Sequence, residues 1–357
     1  MPGRRVEKKM IVFESDDWGS IRMPSKKVVE ELNAAGINVY SNPFNYIDAL
    51  ESEEDLTSLF DVLRKFKDHL GNYPVITANC ITGNPDFDKI KKNNFQTYHW
   101  ESNEATYAKY SNSKGALQLF KQGMNNGFIW PQFHGREHVN VSQWLTALQN
   151  GDAQIMQAFD RGVFGIDFNN ARSLRNNFMA AFDFNTVDES TEQEIIIKEG
   201  LDEFEKLYGI KSQSFIAPCY VWHPSLEPVL KKYGVEYIQG IHYQFAPGYY
   251  SNRYKNIFHT QGQRNGSGQR YLVRNAFFEP ALNKNINWVD DCMQRIRTAF
   301  FWGKPAIIGT HRINFTGSLS IENRQNTHRL LHQLLQKITY TWKEVEFTTS
   351  DKLGSLF

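Results

Sequence analysis

Short apolar runs alternate with amphipathic segments from one end of this chain to the other. Short apolar runs bounded by turn formers read as buried strands, and apolar spacings of three and four read as helix. Strands are predicted at Met10–Phe13, Val75–Ala78, Phe128–Phe133, Val163–Phe168, Ser214–Ala217, Val235–Gln239, Tyr271–Asn275 and Ala306–Gly309. One helix is expected to open near Ser52, to carry Leu56, Leu59, Phe60, Leu63, Phe66 and Leu70 on one face, and to end at Gly71. Another starts from the capping-box pattern Ser190-Thr-Glu-Gln193 and runs to Gly209. A third carries Leu330, Leu331, Leu334, Leu335 and Ile338. Strands alternating with helices over the whole length predict a parallel sheet covered by helices, and the number of such units favours a barrel over an open sheet. The expectation is one α/β unit spanning residues 1–357. Two aromatic-rich stretches interrupt the alternation, near 80–112 (Tyr98, Trp100, Tyr107, Tyr110) and near 240–270 (Tyr243, Phe245, Tyr249, Tyr250, Tyr254). Long loops of that composition read as functional rather than disordered.

Charge adds little: 40 Lys+Arg stand against 39 Asp+Glu, with no basic block that would suit nucleic acid. The first apolar run, MIVF, is too short for a signal peptide, and no segment is long enough to span a bilayer, so a cytoplasmic location is expected. Three scattered cysteines, Cys80, Cys219 and Cys292, form neither a disulfide framework nor a zinc-finger spacing and are expected to be reduced and buried. A surplus of Tyr and Trp suits stacking against sugar rings.

Two stretches carry chemistry. FHGREHVN, residues 133 to 140, holds His134 and His138. If the chain turns helical there, spacing four aligns both imidazoles on one face. FESDDWGS, residues 13 to 20, holds Asp16 and Asp17 directly after the first predicted strand. Two imidazoles and one carboxylate satisfy a catalytic divalent metal while leaving positions open for water and substrate, and the second carboxylate supplies a general base. Glu137 sits directly before the second histidine, so the helical H-E-x-x-H pattern is not met. His311 ends the buried-looking run Pro305–Thr310 and is placed for acid catalysis on the open face of a barrel.

The order of these motifs resembles the NodB-homology polysaccharide deacetylases, carbohydrate esterase family four. Glu14-Ser15-Asp16-Asp17 is similar to the family's first motif, His134-Gly-Arg-Glu-His138 to its second, Ile308-Gly-Thr-His311 to its last, and Val345 to Gly354 to its usual ending. The resemblance implies a distorted (β/α)7-8 barrel with Asp17, His134 and His138 holding Zn²⁺, or Co²⁺, Ni²⁺ or Mn²⁺. It further implies Asp16 as base, His311 as acid, and hydrolysis of an acetyl group, usually N-acetyl, on an amino sugar of a glycan or glycan precursor. In the family's third motif Pro218 is kept, but Ile216 stands where the arginine belongs. Arg274 is the candidate to supply the missing cation from another strand, or to contact substrate. The fourth motif is not evident, leaving Glu279 or Asp290 to polarise His311. Trp222 and Asn314 are expected at the rim, binding the sugar. Two rival readings share these residues: a metal-dependent glycosidase of the alpha-mannosidase-like kind, and a non-catalytic glycan-binding homologue that the missing arginine would suit.

Overall fold

The structure, a computed structural model, describes residues 2–167, 177–251 and 253–357. In chain order the strands are β1 (Met10–Trp18), β2 (Ile76–Ile81), the hairpin of β3 (Gly83–Pro85) and β4 (Trp100–Ser102), β5 (Ile129–Gly135), β6 (Ser214–Ile216), β7 (Tyr237–Gly240), the hairpin of β8 (Tyr243–Ala246) and β9 (Lys255–Phe258), β10 (Arg270–Val273), β11 (Ala276–Phe277), β12 (Ala306–His311) and β13 (Glu346–Phe347). The main sheet runs β10-β7-β6-β5-β2-β1-β12-β11, parallel throughout, with β13 also paired to β1.

The two ends of that path are one segment of chain. Only Arg274 and Asn275 separate β10 from β11. Arg274 N–H still donates to Gly240 of β7 (2.8 Å), whereas Asn275 N–H donates to Ile307 of β12 (3.1 Å) and Phe278 N–H to Gly309 (3.0 Å). The segment crosses from one neighbour to the other and closes the sheet into a distorted barrel of seven strand positions, with helices outside. In a parallel barrel the loops after the strand ends gather on one face.

The period of two along β1 sorts its side chains. Ile11 and Phe13 join the main core shared with the helices. Met10 and Val12 instead pack with Leu272, Ile307 and Leu353, which plugs the base of the barrel. The next positions in that row are Glu14 and Asp16. The barrel is therefore apolar below and ionic above.

Most of the expected strands form. The exception is Val163–Phe168: residues 163–167 adopt no strand, and Phe168 lies outside the described residues. The seven strand positions are already filled, and this apolar run instead packs as irregular chain, with Phe164 edge-on to Trp144. The Ser52-capped helix stops at Leu63, not Gly71, and Leu70 is exposed. The helix expected from Ser190 begins earlier, Val187–Tyr208, because Thr186 and Glu189 form the capping box; it does end at Gly209, whose φ of 71° is left-handed. Cys80 and Cys292 are buried, but Cys219 is only partly so. Among the described residues no helix is long and apolar enough to cross a membrane.

Candidate functional site

A regular strand would turn Asp16 and Asp17 to opposite faces. Here the pairing of β1 with β2 shifts between Ser15 and Trp18, and Asp17 adopts φ 75°. The bulge turns Asp17 back, so both carboxylates line one cleft of about 240 Å³. A non-glycine residue in that region costs about 1–3 kcal/mol, a strain that clusters at functional sites.

His134 lies near the end of β5. The chain beyond it is not helical, contrary to expectation: Gly135 takes φ 130°, and an irregular turn brings His138 back beside His134. The rings stand 5.0 Å apart, nearly perpendicular. Nε2 of His134 and Nε2 of His138 lie 3.4 and 3.1 Å from Asp17 Oδ1. Ligand atoms of the three residues lie within 4.8 Å of one another, and all three are buried. Nδ1 of His134 meets the Ile216 carbonyl at 2.9 Å, which fixes the Nδ1–H tautomer and presents the Nε2 lone pair to the cleft. That buried Nε2 has no hydrogen-bond partner among the described residues. Burial alone would raise Asp17; the facing imidazoles outweigh it and hold the carboxyl well below its usual range. Burial holds His138 below its ordinary value despite Asp17. Two imidazoles beside a carboxylate are the donor set a divalent cation takes.

Asp16 is gripped from both sides. Arg274 donates through Nη1 to Oδ2 (2.8 Å) and through Nη2 to Oδ1 (2.6 Å), and Asn79 donates to Oδ1 at 2.7 Å. Arg274 Nε donates to Glu14 (2.7 Å), whose other oxygen accepts from Ser350 (2.8 Å). Burial pushes Asp16 up, but the Arg274 charge and hydrogen bonds win and hold it down at about 2. On the adjacent strand His311 Nδ1 meets Glu279 Oε1 at 2.6 Å, and Asn314 donates to Glu279 Oε2 at 2.7 Å. Burial would lower His311; the Glu279 carboxylate outweighs it and raises the imidazole to about 10. The site thus carries an ionised acid and a protonated imidazole side by side next to a metal-ligand triad.

No protein-family model matches the chain, and no curated protein matches it by sequence. Polysaccharide deacetylases and a CE4 family protein are among the solved structures it resembles. A Mycobacterium smegmatis protein described as a polysaccharide deacetylase is 11% identical with a TM-score of 0.45, over 100% of this chain and 94% of that one. The Puue allantoinase is 10% identical with a TM-score of 0.47, over 98% and 90%. A 4-alpha-glucanotransferase from Thermococcus litoralis is 12% identical with a TM-score of 0.47, over 98% of this chain but only 41% of that one. These names cover different chemistries, and identities this low speak of fold alone. With TM-scores under 0.5, none of them assigns a role to a residue here.

Asp16, Asp17, His134, His138 and His311 all line one cleft. Three other expectations need correction. Trp222 is buried rather than at a rim: its ring lies parallel to His259 and its indole N–H donates to Glu227 (3.3 Å). Asn314 is also buried and holds Glu279 and the Ala281 N–H (2.9 Å). Arg274 spends its donors on Asp16, Glu14 and Tyr220, so it positions Asp16 and is not free for substrate. Between Glu279 and Asp290 the geometry chooses Glu279; Asp290 is exposed and paired with Lys337.

The sequence reading missed Asn79, Glu14, Arg22, Asn42, Phe44 and Tyr220. Glu14 had a signal, since it directly follows the apolar run Met10–Phe13 two residues before Asp16 and so shares its face. Asn79 had a similar one inside Ile76–Ile81. Arg22 lies in irregular chain after β1 and Phe44 in the single 3-10 turn Pro43–Asn45, and no periodicity could place them.

Proposed function

We propose that this chain is a metal-dependent hydrolase that removes an acetyl group from a carbohydrate, N-acetyl of an amino sugar in the first instance. One observation carries the reading: a buried Asp17–His134–His138 triad with Asp16 and His311 together beside it. When bound, a divalent ion would polarise the acyl carbonyl and bring the pKa of water toward neutrality. Asp16, fixed by Arg274 and Asn79, accepts the proton of the attacking water. Such a low pKa makes it a weak base on its own, so its role depends on that water being acidified. His311, held protonated by Glu279, donates to the leaving nitrogen. Asn314 keeps Glu279 turned toward His311.

The non-catalytic glycan-binding reading rested on the missing arginine, and Arg274 removes much of its support by gripping Asp16 from another strand. A binder also has no need of a charged acid and base set beside a ligand triad. The test is elemental analysis of the purified chain followed by a screen for released acetate over acetylated amino sugars. Stoichiometric metal with acetate release supports the proposal. Released sugar in place of acetate would assign a glycosidase, and tight glycan binding with no product under several metals would assign a binder.

A further inference from the structure

We propose that Arg22 reads an anionic group on the substrate, a carboxylate or phosphate carried close to the acyl group that is cleaved. The inference rests on the proposed hydrolase and names its substrate class. Arg22 lines the same cleft as the triad and is only 8% exposed. Its side chain is held in place. The Phe44 ring lies 5.1 Å from the guanidinium carbon, and Met179 Sδ is 2.9 Å from Nη1. Gly165 approaches so closely that a Cβ there would stand 3.2 Å from Nη1 and 2.6 Å from Met179 Sδ.

What surrounds the guanidinium is short of acceptors. A thioether accepts weakly. Asp48 balances the guanidinium's charge as an ion pair, but Asp48 Oδ2 stands 3.6 Å from Nε, too long for a hydrogen bond. Asp48 Oδ1 is taken by Arg312 Nε (3.3 Å) and Nη2 (3.1 Å), and Arg312 also claims Glu51. Among the described residues no oxygen accepts a hydrogen bond from Arg22. A nearly buried guanidinium with its donors unmet is costly, and arginine's planar fork matches carboxylate and phosphate oxygens two at a time. Phe44 also meets His311 edge-on at 5.4 Å, so one ring separates the cation from the acid of the site. A substrate seated at the triad therefore has beside it a fixed cation whose guanidinium donates to no oxygen among the described residues.

The test uses the full chain loaded with Zn²⁺, titrated calorimetrically with glucuronate, N-acetylglucosamine 6-phosphate and N-acetylglucosamine, with inorganic phosphate in parallel. At least one charged sugar should bind roughly tenfold or more tighter than the neutral one, the scale of one charge-assisted hydrogen bond. The sugar that wins identifies the anion as carboxylate or phosphate. Arg22→Met should erase the margin and Arg22→Lys should keep part of it, with metal content and neutral-sugar affinity unchanged. Equal binding of charged and neutral sugars, no binding of either charged sugar, or a margin that survives Arg22→Met overturns the inference. A margin matched by inorganic phosphate and untouched by Arg22→Met would place the anion on the metal, which also overturns it. Acetate release read in the same preparations separates the two claims: release without an Arg22-dependent margin sinks only this one, and a margin without release sinks only the hydrolase.

Discussion

Asp16 and His311 are register partners on adjacent parallel strands, and His311 Nε2 lies 3.7 Å from Asp16 Oδ2. The two carry opposite charges for opposite reasons. Burial opposes both charges, but Arg274 holds Asp16 at about 2 and Glu279 lifts His311 to about 10. Neighbouring groups whose environments drive their pKa values apart are the usual mark of a base and an acid working together.

Replacing Glu279 by Gln should bring the His311 pKa down, because the anion that outweighs burial is gone. The alkaline limb of the pH–rate profile should then move to lower pH, with metal content unchanged. Stability follows the same sign. A histidine raised from about 6.5 when unfolded to about 10 when folded contributes stability that is complete below the lower value and lost as pH rises through the higher one. The melting temperature of the wild type should fall as pH rises over that window, and Glu279→Gln should lose most of this dependence. An alkaline limb that stays in place would remove Glu279 from its assigned position.

Arg274 is fully enclosed between Glu14 and Asp16. Arg274→Met would leave two buried carboxylates without their cation, a loss of about 3–5 kcal/mol by urea denaturation. Arg274→Lys keeps the charge but offers one nitrogen where the guanidinium reaches both acids, so its stability should fall between the two. A methionine variant as stable as the wild type would show that the pair is not held as described.

Removal of either imidazole, His134→Ala or His138→Ala, should abolish bound metal and acetate release together. Asp16→Asn should keep the metal and lose turnover by roughly 10²- to 10⁴-fold, the usual contribution of a positioned base. Unchanged turnover with metal still bound would show that the base is another group.

The barrel strands were legible because they are short, buried and bounded by turn formers. Val163–Phe168 has the same local character, and nothing local records that the barrel already has its seven positions. Asp16, Asp17, His134 and His311 were legible because they sit at strand ends; His138 came with them through its spacing, although the helix assumed for it is an irregular turn. What joins Arg274 to Asp16 is a crossing from β7 to β12 by a segment 258 residues farther along the chain. No pattern in the sequence encodes that crossing. Trp222 shows the converse: an aromatic beside a candidate motif is core when a histidine and a glutamate are there to pack against it.

A cation at the triad should stabilise the fold, since the unfolded chain holds no such donor set. Ligand present at a hundred times its dissociation constant adds about 2.7 kcal/mol to unfolding. Zn²⁺ should therefore raise the melting temperature of the chelator-treated protein, and a chelator should reverse the rise. His138→Ala should melt at nearly the same temperature with and without Zn²⁺. Asp16→Asn should respond as the wild type does, because Asp16 is spent on Arg274 and Asn79 rather than turned to the imidazoles. A Zn²⁺ response in His138→Ala equal to that of the wild type would place the cation elsewhere and leave His134 Nε2 without the partner its geometry calls for.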